Sequence, residues 1–259
     1  MKFLIKKKIL TIQVIESGFH MLLYKDRIVV VGGSGRFGKI LSKIKTKYKV
    51  FFPTKKNFNV LDTRQIKNYL KIKKPKYLIL LAGLSRPMSL HETDIKKSID
   101  LNILGPSNVT KVCSDLNIKL IFFSTSYVYP GIKGQYKETS PVLPKNNYAW
   151  SKLGGESSVH MYKNSLILRV CMTEKPFIHK EAFGDFITNF IFHEDVAKNL
   201  YKLIDKKGII NVGGKIQTVY NFAKKYNKKI KKVSARKYLG KSYPLNPSMN
   251  ITKYRKFIK

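Results

Sequence analysis

Cysteine is nearly missing from this 259-residue chain, with Cys113 and Cys171 the only two. Two thiols supply neither a disulfide framework nor a cysteine-rich zinc site, and a reducing, cytoplasmic setting is the expectation. Long apolar runs are missing too. None approaches the roughly 18 to 20 residues that span a bilayer, so no membrane span is expected. Acidic residues are scarce: 15 Asp and Glu stand against 51 Lys and Arg, a net charge of +36. Such a balance raises nucleic acid as a partner. Yet arginine is scarce as well, 7 Arg to 44 Lys, and the planar guanidinium fork is what nucleic-acid readers use. The lysines are scattered among Ile and Asn along the whole chain, as on solvated faces. No specific nucleic-acid partner is expected. His160, His179 and His193 have no metal-ligand spacing with acids, so no metal site is expected and these histidines read as surface or capping residues.

What is present is a globular composition, 43% hydrophobic and 25% charged. Residues 1–26 do not resemble the rest of the chain. They run from a basic start through Ile9–Ile15 without the marks of a signal peptide, and read as either a peripheral amphipathic segment or a dispensable extension. From Arg27 short apolar runs alternate with helix-length stretches. Ile28–Val31, Lys49–Phe52, Tyr77–Leu81, Lys119–Phe123, Ser165–Val170 and Gly208–Val212 read as strands. Helices are expected over 36–46, 63–73, 92–116, 147–162 and 193–205. Strands separated by helices imply right-handed βαβ units and a doubly wound, Rossmann-type α/β parallel sheet. The expected division is a dinucleotide-binding domain over 27–170 and a small C-terminal substrate-binding lobe over 171–259, intertwined with the end of the sheet.

The first strand runs directly into Gly32-Gly33-Ser34-Gly35-Arg36-Phe37-Gly38. In a dinucleotide site one glycine permits the strand-to-helix turn, one lets backbone approach the pyrophosphate, and one lets the helix pack on the sheet. The next helix turns its N-terminal amides toward the phosphates. After an apolar strand and at the start of a helix, this turn is a specific signal. NAD sites place an acid about 20 residues on. Here the second strand ends in Thr54-Lys55-Lys56. Cations there suit the 2′-phosphate of NADP, which is the favoured cofactor, with NAD the other option. Asp62 is a separate acid placed to meet the adenine.

The spacing of Gly32, Gly35 and Gly38, then Ser124-Thr125-Ser126-Tyr127, then Tyr148-Ala149-Trp150-Ser151-Lys152 resembles the extended short-chain dehydrogenase/reductase superfamily. Within it the chain is most similar to dTDP-4-dehydrorhamnose reductase-like and NAD-dependent epimerase/dehydratase proteins. The resemblance covers roughly residues 27 to 259 and includes Asn59–Thr63, Lys74-Pro75, Asn102, Glu194–Ala197, Asn211–Gly214 and Pro244–Asn246. It departs at Leu81-Ala82-Gly83, where an Asn is common. These residues should still form a small-residue floor under the cofactor.

The resemblance implies a catalytic set of Thr125, Tyr148 and Lys152. A tyrosine four residues before a lysine on a helix puts both on one face. A free phenol titrates near 10, and a neighbouring ammonium brings it closer to neutrality. Thr125 would bond the substrate carbonyl and Tyr148 would pass the proton while the nicotinamide supplies the hydride. Lys152 would also hold the nicotinamide ribose. The implied reaction is reduction of a nucleotide-activated 4-keto sugar. The alternatives are epimerisation or dehydration with recycled NAD, and a non-catalytic nucleotide-sugar-binding subunit. Dehydration fits least, because Ser126 and Tyr127, not an acidic pair, come after Thr125. A homodimer is the assembly to test. Arg86 reads equally as a residue facing a diphosphate or as a solvated arginine, Cys113 reads as core, and nothing in the sequence activates Cys171.

Overall fold

The computed structural model describes residues 26–259; the expectation for the amino-terminal extension lies, apart from Asp26, outside the described residues. Six strands form one parallel sheet: β1 (Arg27–Val31), β2 (Lys49–Phe51), β3 (Tyr77–Leu80), β4 (Lys119–Thr125), β5 (Ser165–Val170) and β6 (Gly208–Val212). Their order is β6-β5-β4-β3-β1-β2. The doubly wound sheet is therefore as expected. The chain leaves β1 toward β2 on one side and returns to β3 on the other. The crevice above the carboxyl ends of β1 and β3 is thus the topological switch point, where this architecture binds ligands.

Period-two alternation explains why the strands are apolar throughout. Ile28 and Val30 face one core and Val29 and Val31 the other, since successive side chains point to opposite faces. On the first face pack α1 (Arg36–Leu41) and the helix His193–Leu203. On the second lie α2 (Thr63–Lys73) and the last helix before β4. Covered on both sides, the strands have no polar face to show.

Two helices differ from expectation. α1 is only six residues long, ending at Leu41. The single helix expected over 92–116 is four pieces: α3 (Leu90–Thr93), α4 (Ile95–Ile99), a π turn (Asp100–Leu104) and α5 (Gly105–Asp115). Asp94 sits at φ −134° and caps α4 through Lys97 N. Pro106 has no N–H to give, so the ladder widens instead, with Gly105 N bonded to Asp100 O. α6 (Asn147–His160) runs beside this irregular turn.

Beyond β5, short strands and the helix Val219–Lys224 build a smaller unit around Phe177, Phe186, Phe192 and Phe222. The chain still returns to the main sheet through His193–Leu203 and β6. No helix among the described residues is long and apolar enough to cross a membrane.

Candidate active site

The glycine turn is flush against its surroundings. Gly32 has φ +92°, and a Cβ there would lie 2.5 Å from Ala82 N. A Cβ on Gly38 would lie 2.6 Å from Gly33 Cα. The first glycine therefore lets β1 pass over the end of β3, and the last seats α1 on the turn. Gly35 N closes the loop on Gly32 O at 3.1 Å. Ser34, Gly35 and Arg36 are exposed at the crevice. The Phe37 ring turns inward onto Phe123 and His193, at 5.1 and 5.8 Å between centroids, leaving only backbone to the turn. Leu81, Ala82 and Gly83 run beneath it, with Ala82 N bonded to Val31 O. Lys55 and Lys56 are exposed, and neither has an acidic partner among the described residues. Asp62 caps α2, accepting from Gln65 N at 2.9 Å.

Thr125 ends β4 and is buried. Neighbours on a strand face opposite ways, so Ser124 turns to the Glu156 carboxylate in the middle of α6 while Thr125 turns toward Tyr148 in its first turn. Asn146 caps that helix through Ala149 N at 2.8 Å and so fixes its first turn. Tyr148, the second residue of the helix, brings its hydroxyl close to that of Thr125. Burial raises the phenol above its ordinary value, while the Thr125 hydroxyl and the Arg86 and Arg36 charges pull the other way. Lys152 lies one turn on, its ammonium 4.3 Å from the Phe122 ring centroid. Burial brings that amine down to about 8, against the pull of Glu156. The structure thus brings Thr125 and Tyr148 into contact and sets Lys152 on the same helix beside them. The cations that act on the phenol here are the two guanidinia.

Those guanidinia meet at one carboxylate. Arg36 Nη1 is 3.0 Å from Glu174 Oε1, and Arg86 Nη1 is 3.4 Å from Oε2. Arg36 also reaches Ser85 Oγ at 3.4 Å. Glu174 has no motif around it, and only the fold brings it here. Asn102, on the π turn, ties the loop after β3 to α6: its amide nitrogen donates to Leu84 O (2.9 Å) and Ser151 Oγ (2.8 Å), and its oxygen accepts from Leu84 N (2.7 Å).

His193, expected at the surface, is buried at the start of its helix because Phe37 covers it. His160 and His179 are exposed, as expected. Cys113 is fully buried in the core, and burial pushes the Cys171 thiol up, beside Thr188 Oγ1 at 3.0 Å. The sequence motifs do not single out His91. It is 1% exposed and its ring lies against Tyr148. A narrow hollow lined by Tyr127, Phe186, Tyr243 and Pro244 adjoins the site through Tyr127, whose ring is 6.3 Å from that of Tyr148. A broader concavity, lined by Lys215, Thr218 and Lys225, contains none of the expected site residues.

Comparison with known proteins gives this site its context. Methionine adenosyltransferase 2 subunit beta of Xenopus tropicalis is 28% identical over 154 residues, 56% of this chain and 46% of that protein. The dTDP-4-dehydrorhamnose reductase of Mycolicibacterium smegmatis is 25% identical over 138 residues, 52% of this chain and 41% of that protein. The chain spans about half the length of the curated relatives it matches. Among solved structures, dTDP-4-dehydrorhamnose reductase from Bacillus anthracis in complex with NADP superposes with a TM-score of 0.80 at 22% identity, covering 90% of this chain and 93% of that one. The Bordetella bronchiseptica enzyme WbmG in complex with NAD gives 0.69 at 18%, covering 91% and 88%. These likenesses establish a shared fold. The profile of the RmlD substrate binding domain matches residues 26–203, and over that span, from β1 through the helix His193–Leu203, this chain belongs to the RmlD substrate-binding-domain family.

Proposed function

We propose that this chain is an NAD(P)H-dependent reductase of a nucleotide-activated 4-keto sugar, with NADPH the preferred cofactor. The observation that carries the reading is the approach of the Thr125 and Tyr148 hydroxyls to one another, with Lys152 one helical turn away. The glycines at 32 and 38, where any side chain would collide with backbone, fit a close-lying diphosphate, and Lys55 is free to meet a 2′-phosphate. When bound, the reduced nicotinamide supplies the hydride. Thr125 and Tyr148 hold the substrate carbonyl oxygen between two hydroxyls. Tyr148 gives its proton to that oxygen as the carbonyl carbon is reduced, and is left as phenolate until solvent restores the proton. The Arg36 and Arg86 guanidinia nearby make that phenolate less costly. The NADP complex of the Bacillus anthracis relative and the reductase relative of Mycolicibacterium smegmatis support this choice.

The second reading is a non-catalytic nucleotide-binding subunit, favoured by the relatives named as methionine adenosyltransferase subunits. Oxidation of NADPH in the presence of dTDP-4-keto-6-deoxyglucose, compared between the native chain and Tyr148→Phe, separates the two. Turnover that depends on Tyr148 supports the reductase. NADPH binding without turnover on this sugar or its UDP and GDP counterparts supports the subunit.

A further inference from the structure

His91 is the buried titratable group nearest the proposed proton donor that the proposed reaction does not use. It lies on α3, in the loop region after β3, and is 1% exposed. Its Nδ1 is 2.7 Å from Ser98 Oγ on α4, and its Nε2 is buried without a hydrogen-bond partner among the described residues. The ring packs against Tyr148, 5.1 Å between centroids with planes at 61°. Its backbone is held as well: Asn147 Nδ2, one residue before Tyr148, donates to Glu92 Oε2 (2.5 Å) and to His91 O (3.4 Å).

A leucine would fill this space with no polar atom to leave unpaired, whereas a buried orphan nitrogen is costly. What histidine adds is a flat ring whose rotation a hydrogen bond can lock. Ser98 supplies that bond, and the locked ring meets the phenol at the tilted angle aromatic pairs favour. The phenol then has two constraints, the ring contact on its flank and Thr125 at its hydroxyl. We infer that His91, clamped by Ser98, is a positioning residue that keeps the Tyr148 phenol aimed at Thr125 and shields it from water. Its surroundings favour the neutral imidazole. Burial lowers its pKa, and Lys152 lowers it further against the opposite pull of Glu92. Facing the phenol are His91, Thr125 and Tyr127, with Arg36 and Arg86 as the charges acting on it.

This inference rests on the reading of Tyr148 as proton donor, so two readouts are needed. The first is kcat and KM with NADPH and the 4-keto sugar nucleotide. His91→Ala should lower kcat about 10- to 100-fold, the range that misalignment produces, with KM and cofactor affinity nearly unmoved. His91→Phe restores a ring without the clamp and Ser98→Ala removes only the clamp, so both should fall at one intermediate level. The double variant His91→Ala with Ser98→Ala should be no worse than His91→Ala. The second readout needs no activity: NMR titration of isotope-labelled tyrosine ring carbons, with the Tyr148 signal assigned by Tyr148→Phe. Burial is the main cause that raises this phenol, so opening its flank in His91→Ala should move its ionisation to lower pH. An unmoved Tyr148 titration in His91→Ala, or an undiminished kcat in the well-folded Ser98→Ala, overturns the inference. If Tyr148→Phe keeps full turnover while the titration shifts, the catalytic reading fails and the contact stands.

Discussion

Arg169 Nη2 lies 2.6 Å from Glu156 Oε1, and both side chains are about 95% buried. Directly below the candidate triad, this pair ties β5 to α6. Glu156 also accepts from Ser124 and from Arg169 Nε (3.0 Å), while Arg169 Nη1 donates to the Tyr129 hydroxyl, which in turn reaches Asn211 Oδ1 at 2.8 Å. Bonded on every side, the ion pair links β4, β5, β6 and the helix that carries Tyr148 and Lys152.

Removing one partner leaves the other as an unpaired buried charge. Glu156→Ala should therefore destabilise the fold by about 3–5 kcal/mol, measured by urea unfolding. Replacing both by methionine should cost clearly less than that single change. Equal losses in the two variants would mean that space filling, not charge, holds this junction.

Lys152 carries a pH signature. Its amine titrates near 8 instead of 10.5 because it is buried. Between those values the unfolded chain binds more protons than the folded one, so the stability linked to this group rises with pH across that window. Ligand binding runs the opposite way, since the ammonium that would hold the ribose is lost as pH climbs through about 8. NADP affinity measured by calorimetry should fall over that range in the native chain and stay flatter in Lys152→Met. Parallel curves would remove Lys152 from the cofactor site.

Cofactor choice is tested at the loop after β2. Lys55 and Lys56 stand exposed where an acid would bond ribose hydroxyls. NADPH should bind more tightly than NADH, and Lys55→Glu with Lys56→Glu should reverse the order. Attraction of roughly 1 kcal/mol or more per charge sets a change of about tenfold. Equal affinities of the native chain for the two cofactors would refute it.

Glu174 neutralises two arginines that face the crevice. With the carboxylate gone, Arg36 and Arg86 are left for anionic ligands, so Glu174→Gln should tighten NADP binding, by a factor that shrinks as salt is raised. Weaker binding in the variant would show instead that Glu174 holds the arginines in place for the ligand.

Gly32→Ala tests the cradle. Its Cβ would meet Ala82 and Leu81 backbone, atoms that cannot swing aside, at a φ that disfavours any side chain. Loss of cofactor binding together with a lowered Tm is the expected result, by thermal melt with and without NADP. Retained binding would mean that β1 and β3 separate more easily than their contact implies.

The layers of the fold were legible in the amino-acid order. Six apolar runs at helix-length intervals could only be buried strands covered on both faces, and a glycine turn after the first could only sit at its carboxyl end. Local chemistry also set the helix bearing Tyr148 and Lys152, capped by Asn146, and four-residue spacing placed the two on one face. The motif's register already favoured Thr125 over Ser124 at the end of the fourth strand, but what each hydroxyl touches, Glu156 for Ser124 and Tyr148 for Thr125, needed the packed molecule. So did the splitting of the 92–116 segment, because periodicity does not register a missing N–H at Pro106 until the ladder has to close. Packing alone brought Glu174, 138 residues beyond Arg36, and His91, 57 residues before Tyr148, to the same site. No spacing rule reaches across such separations. Crossovers of a parallel sheet gather the ends of distant strands at one edge, and the contacts made there depend on the whole path of the chain.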